Sequence, residues 1–148
     1  MKNQEKYQGQ HILAVDYGTK FTGFANYKVG MDPFILLFGR VKYESDKQII
    51  TEIQKIIDYE FIEQVVIGIP FFTDGKESTW TQSVKKFIDL ASQSLEVPVH
   101  TQDETLSTFE AEDRMKNDPR FNFQVDLSRI DEVAASIILE SFLIEESK

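Results

Sequence analysis

Four acidic residues at three places in this chain could do chemistry together. Asp16 ends the apolar run Ile12-Leu13-Ala14-Val15 and is followed by Tyr17-Gly18-Thr19, Asp103-Glu104 closes the short run Pro98-Val99-His100-Thr101-Gln102, and Asp131 opens the last apolar segment. An ionised carboxylate at the mouth of a buried strand is costly unless something cationic balances it, and a metal ion or a metal-bound phosphate is the usual partner. The alternative for Asp16 is a plain turn, because Asp, Gly and Thr are common punctuation after strands. With no cysteine and only two histidines, His11 and His100, a metal would be held mainly by oxygen, which points to Mg²⁺ or Mn²⁺. Thr19, Ser107 and Thr108 have no histidine placed beside them as a base, so on their own they read as turn and cap residues rather than nucleophiles.

The elements that must position these acids follow from periodicity. Strands are expected over 11–16, 21–28 and 34–43, joined by short turns at 17–20 and 29–33 as in an antiparallel meander. Ser45 or Asp46 caps a helix in which Ile49, Ile53, Ile56 and Ile57 keep helical spacing to about Tyr59. Val65-Val66-Ile67-Gly68-Ile69-Pro70 is a continuous apolar run, typical of a strand buried on both faces. After the loop 71–78, Trp80, Val84, Phe87, Ile88, Ala91 and Leu95 share one helical face. A short strand over 98–102 comes next. Ser107 and Glu110 form a capping-box pattern for a helix to about Asn117, Asp118-Pro119 stops it, and a last helix runs from Ser128 through Ile144.

Three meander strands, then helix, strand, helix, strand and terminal helices, build an α/β fold: a mixed five-stranded sheet with a parallel portion, flanked by helices. Asp16, Pro70 and Asp103-Glu104 then lie at strand carboxyl ends, where such sheets carry their sites. Asp131 shares a stripe with Ala134, Ala135, Ile138 and Phe142, so it rides on the helix face that packs on the sheet, and the alanines allow close approach. A capping box between Ser128 and Asp131 is the competing reading. Strand alternation sends Asp103 and Glu104 to opposite faces, so at most one of them faces Asp16.

At 148 residues, 41% hydrophobic and 12% aromatic, the chain suits one domain over 11–148, preceded by a polar, flexible segment 1–10. That segment has no apolar core of a signal peptide and no later window approaches a membrane span, so a cytoplasmic protein is expected. The formal net charge of −9 argues against a general nucleic-acid coat, although a local basic cluster can serve a small footprint.

Four blocks carry a family resemblance: ILAVDYGTKFTGFA over 12–25, VVIGIPFFTDG over 65–75, VPVHTQDETLSTFEAE over 97–112 and IDEVAASIILESFL over 130–143. In order and spacing they resemble the signature blocks of the YqgF/RuvX family of Holliday junction resolvases, also described as pre-16S rRNA nucleases, with an RNase H-like fold. The D-x-G-T element alone is shared with sugar kinases and actin-like ATPases. The resemblance implies a catalytic set of Asp16, Asp103, Glu104 and Asp131, with metal held by Asp16, Glu104 and Asp131, and a substrate groove bordered by the Gly68–Gly75 segment. Three positions depart from the family pattern: Phe21 and Thr105 stand where basic residues are usual, and only Arg129 remains of the basic residues before the last acid.

The chemistry that fits is phosphodiester hydrolysis with one or two Mg²⁺ or Mn²⁺ ions, which activate a water and stabilise the leaving oxygen. Asp16 would bridge the ions, with Glu104 or Asp103 on one and Asp131 on the other. Substrate contacts are expected from Thr19, Lys20, Pro70, Asp74, Gly75, Lys76, Ser107, Arg114 and Arg129. The substrate would be nucleic acid, an rRNA precursor or branched DNA, bound by a monomer or a homodimer. A non-catalytic RNase H-like module that binds nucleic acid or protein in ribosome or DNA metabolism is the alternative, motivated by the acidic charge and the thinned basic residues. An actin-like ATPase is disfavoured by length, because that fold closes two such lobes around its nucleotide.

Overall fold

The computed structural model describes residues 1–105 and 107–147, with the side chain of Ser107 outside the described set. Strands β1 (His11–Asp16), β2 (Phe21–Lys28) and β3 (Leu36–Lys42) form the antiparallel meander, and β4 (Gln64–Ile69) and β5 (Val99–Asp103) continue the sheet in parallel from β1. The order β3-β2-β1-β4-β5 makes β1 central, which is why Ile12, Leu13, Ala14 and Val15 are all fully buried. This is the mixed five-stranded sheet expected.

Alternation along β1 sorts the two layers. Leu13 and Val15 pack with Ile49 and Ile53 of α2 (Asp46–Glu60) and with Val84 and Phe87 of α3 (Thr79–Ser94). Ile12 and Ala14 pack on the opposite face with Ala135, Ile138 and Leu139 of α5 (Ile130–Ile144). Asp16 continues the second set and therefore points toward α5. Ser45 caps α2 by accepting from the Gln48 N–H, and Ser78 and Thr81 form a reciprocal capping box on α3. Helix α4 (Ser107–Lys116) packs against α5 through Ala111 and Met115.

Several expectations are corrected. β3 begins at Leu36 rather than residue 34, because Asp32 accepts from the Lys28 N–H at 2.8 Å and Pro33 brings no N–H to a ladder. α5 begins at Ile130, with Arg129 at the N-cap and no side-chain cap. Ser128 makes no capping box with Asp131, because both its N–H and its hydroxyl donate to Asp126 Oδ1, at 2.9 and 2.5 Å. The segment 1–10 is packed rather than free: α1 (Asn3–Lys6) is held by Asn3 Nδ2 donating to the Phe142 carbonyl at 2.9 Å, and the buried Tyr7 ring stacks on Phe142. Among the described residues no helix is long and apolar enough to cross a membrane.

Candidate active site

The carboxyl ends of β1 and β4 open into a cleft of about 790 Å³ lined by Asp16, Glu104 and Asp131. Two glycines bring these acids together. In β2, Gly23 stands opposite Asp16, and a Cβ there would lie 2.1 Å from the Asp131 carbonyl oxygen and 2.8 Å from the Asp131 Cβ. Only glycine lets the first turn of α5 sit directly on β2 and deliver Asp131 beside Asp16. In β4, a Cβ on Gly68 would lie 2.7 Å from Glu104 Cδ and 2.5 Å from Ile138 Cδ1. The space above Gly68 is thus filled by the Glu104 carboxyl group, which reaches across β4 to the Asp16 carboxylate, the hydrogen bond between them favouring ionised Asp16.

Burial pushes the Asp16 carboxyl up to about 6; the Glu104 hydrogen bond draws it down and the negative charge of Asp131 adds to the rise. Asp16 and Glu104 at strand ends and Asp131 in the first turn of α5 bring three carboxyl groups to one cleft. An all-oxygen donor set of this kind fits a hard divalent cation such as Mg²⁺ or Mn²⁺. Among the described residues no three acids stand at ligand spacing around a single point, and Asp131 is turned to a cation of the chain itself: its Oδ2 lies 3.3 Å from Arg40 Nη1.

Residues 10–145 match the model of the RuvX family, described as Holliday junction resolvase. The chain belongs to that family. A protein of Halothermothrix orenii named "Putative pre-16S rRNA nuclease" is 34% identical over 147 residues, covering 93% of this chain and 96% of its own. One of Maridesulfovibrio salexigens with the same name is 30% identical, covering 89% and 96%. The fold is that of RuvC from Thermus thermophilus (TM-score 0.55, 16% identity, 87% and 92% covered) and of the fowlpox virus Holliday junction resolvase (0.52, 16%, 88% and 95%). RuvX is thus a nuclease family with an RNase H-like fold, its substrates are nucleic acids, and enzymes of this class generally use divalent metals.

In this RuvX-family chain the predicted site residues divide into two groups. Thr19, Lys20 and Pro70 line the cleft with the three acids, and so does Thr108. Glu104 is the member of the acidic pair that reaches Asp16. Asp103 is instead exposed and turned away, its Oδ1 accepting from the Thr105 N–H at 2.8 Å and from the Thr105 hydroxyl. Asp74, Gly75 and Lys76 form an exposed turn outside the cleft, closed by Asp74 Oδ1 accepting from the Lys76 N–H. Arg114 is paired with Glu140, and Arg129 donates to Glu132 at 2.6 Å, both away from the cleft. Ser107 has its side chain outside the described residues. His11 bridges the Glu60 carbonyl and Asn26, and His100 packs between Tyr7 and Phe142, so both are structural.

Sequence reasoning missed Gly23 and Arg40, and placed Gly68 at the groove without its role as the gap that seats Glu104. A glycine inside a strand pattern marks a close approach of backbone or ligand, and both glycines carried that signal. Arg40 carried none, because its place depends on β3, β2 and α5 meeting at one point.

Proposed function

We propose that this chain is a Mg²⁺- or Mn²⁺-dependent endonuclease that hydrolyses a phosphodiester of structured nucleic acid in the cleft between β1, β4 and α5. The observation that carries this reading is the delivery of Glu104 and Asp131 to Asp16 through the glycine gaps at 68 and 23. Such close approaches put acids together at a cost in stability that a cationic occupant would offset. Asp16, Glu104 and Asp131 would hold the metal. When bound, a divalent cation supplies an activated water and neutralises charge on the phosphate undergoing displacement. Lys20, at the rim, attracts the phosphodiester backbone, and Pro70 and Trp80 form the wall that limits how the strand enters.

Precursor 16S rRNA is the favoured substrate, supported by the relatives at 30% and 34% identity, with branched DNA as the second candidate from the family description. The protein would act in the cytoplasm. Trimming one RNA strand needs one active site, whereas symmetric junction cleavage needs two, so sedimentation on each substrate distinguishes a monomer from a homodimer. The test is a cleavage assay on a precursor-rRNA fragment and on a four-way DNA junction, with and without Mn²⁺, with Asp16→Asn as control. Mn²⁺-dependent cleavage abolished by Asp16→Asn is expected. Binding without cleavage by the wild-type protein would overturn the catalytic reading in favour of a non-catalytic module.

A further inference from the structure

Arg40 occupies the cleft in a way that an ordinary edge-strand charge does not. Its guanidinium carbon sits 3.6 Å from the centroid of the Phe21 ring, and its Nη1 lies 3.3 Å from Asp131 Oδ2 and 3.4 Å from the Leu127 carbonyl. Stacking on an aromatic ring fixes the plane of a guanidinium while leaving its N–H fork at the edges, an arrangement suited to phosphate. The ion pair with Asp131 is single and long compared with the 2.7–2.9 Å of a committed charge-assisted bond.

The backbone is shaped to place it. Gly23 pairs with Arg40 and Ala25 with Leu37, so Phe38 and Gly39 together oppose Phe24 in a β-bulge. Gly39 has φ +79°, and its N–H donates at 2.5 Å to Glu132 Oε2 of α5. Glu132 is only 7% exposed, and its other oxygen accepts from Arg129. A bulge on an edge strand beside a site re-aims the next side chain, and here the next side chain is Arg40.

We propose that Arg40 is a phosphate contact for the nucleic-acid strand, seated by Phe21 and by the Glu132-held bulge. It rests on the nuclease reading given above. Arg40 offsets part of the Asp131 charge through a single long contact, and the rest of its N–H fork, held in plane by the Phe21 ring, would be what meets the phosphate.

The probe is a fluorescein-labelled RNA hairpin with a single-stranded 5′ extension, titrated in Ca²⁺ between about 50 and 200 mM KCl. Arg40→Gln is expected to weaken binding roughly 5–10-fold near 0.1 M salt and to make the slope of log affinity against log salt shallower by about 0.7–0.9. Lys55→Gln, the same charge change on an exposed residue of α2, is expected to leave both at the wild-type values. Calorimetric titration with Mn²⁺ should show Arg40→Gln binding the metal at least as tightly as wild type, because a positive neighbour of Asp131 is gone. Wild-type affinity and slope in Arg40→Gln, an equal effect of Lys55→Gln, or loss of Mn²⁺ binding in Arg40→Gln each overturns the proposal while leaving the nuclease reading intact. Failure of the wild-type protein to bind either the hairpin or a labelled four-way DNA junction overturns both. Should Arg40→Gln not hold its fold on melting, Arg40→Lys takes its place: it keeps the charge and loses the planar stack, so weaker binding supports the proposal and wild-type binding overturns it.

Discussion

Gly68 and Glu104 share one space: a Cβ on residue 68 would lie 2.7 Å from the Glu104 carboxyl carbon. Gly68→Ala must therefore displace the carboxylate from Asp16 or push back Ile138. Both obstructions are ends of flexible side chains, so the fold should survive at a cost of about 1–3 kcal/mol. Mn²⁺ affinity and cleavage rate should fall roughly 10–100-fold, as expected when a metal ligand's support is disturbed. Gly23→Ala is the harsher change, because its Cβ would strike the Asp131 backbone at 2.1 Å. A thermal melt beside the Mn²⁺ titration separates the two: Gly68→Ala loses function first, and Gly23→Ala loses stability first.

Asp16→Asn should destroy activity and stabilise the metal-free protein. The folded-state pKa of Asp16 is raised to about 6 from 3.8, chiefly by burial. Between those values the folded protein holds the proton more tightly than the unfolded chain, so this group's contribution to stability falls as pH rises through the window. At pH 7 the buried charge is a net cost, and the asparagine variant should melt roughly 2–6 °C higher in a chelator, at ~2–4 °C per kcal/mol for this size. The gap should close toward pH 4, where both side chains are neutral. Cleavage in Mn²⁺ should fall by roughly 10²–10³ or more. Equal melting temperatures at pH 7 would show that Asp16 is solvated.

The strands around Asp16 were legible because a buried central strand has to be continuously apolar, and α2 and α3 were legible because each covers one face of the sheet. What the sequence hid depended on partners far along the chain. Tyr7 lies in a polar stretch, yet it is buried by Phe142 and His100. Phe34 and Ile35 have strand-like side chains, but Asp32 and Pro33 spend the local backbone on a turn. Ser128 had a capping partner in Asp131 and a nearer acceptor in Asp126, and the nearer one prevailed. Alternation limited the acidic pair to one residue facing Asp16, and the empty space over Gly68 is what decided for Glu104. Arg40 looks from sequence like the charge that blunts an edge strand; its role in the cleft needs the Gly39 bulge, which composition does not show.

His100 gives a separate pH signature. Its ring packs against Tyr7 and Phe142, Nε2 lies 2.8 Å from Gln64 Oε1, and burial, helped by the charge of Lys6, lowers its pKa below the usual 6.5. The folded protein therefore keeps His100 neutral where the unfolded chain takes up a proton. Its contribution is whole above about pH 6.5 and is lost as pH falls through that value toward the folded pKa. Because the ring is part-exposed, solvent screening keeps the effect small. His100→Gln should make the fall in melting temperature between pH 7 and 5 shallower by about 1–2 °C. An unchanged difference would mean that the ring is protonated equally in both states.

Glu132 is buried on α5, yet its carboxylate is consumed by the Gly39 N–H and the Arg129 guanidinium rather than by the cleft. Glu132→Ala should leave the Gly39 donor without its partner and cost about 1–3 kcal/mol. The loss is local, because the bulge lies on an edge strand, so the sheet core around Leu13 and Val66 should keep its exchange protection while the Gly39 amide exchanges far faster. Hydrogen exchange read residue by residue by NMR makes that comparison. With the bulge released, Arg40 loses its aim, so RNA affinity should fall by about as much as in Arg40→Gln. Mn²⁺ affinity should change little, since Asp16, Glu104 and Asp131 keep their supports at Gly68 and Gly23. A large loss of Mn²⁺ binding in Glu132→Ala would instead place this carboxylate among the metal-holding residues, and wild-type protection at Gly39 would show that the bulge is held by the strand itself.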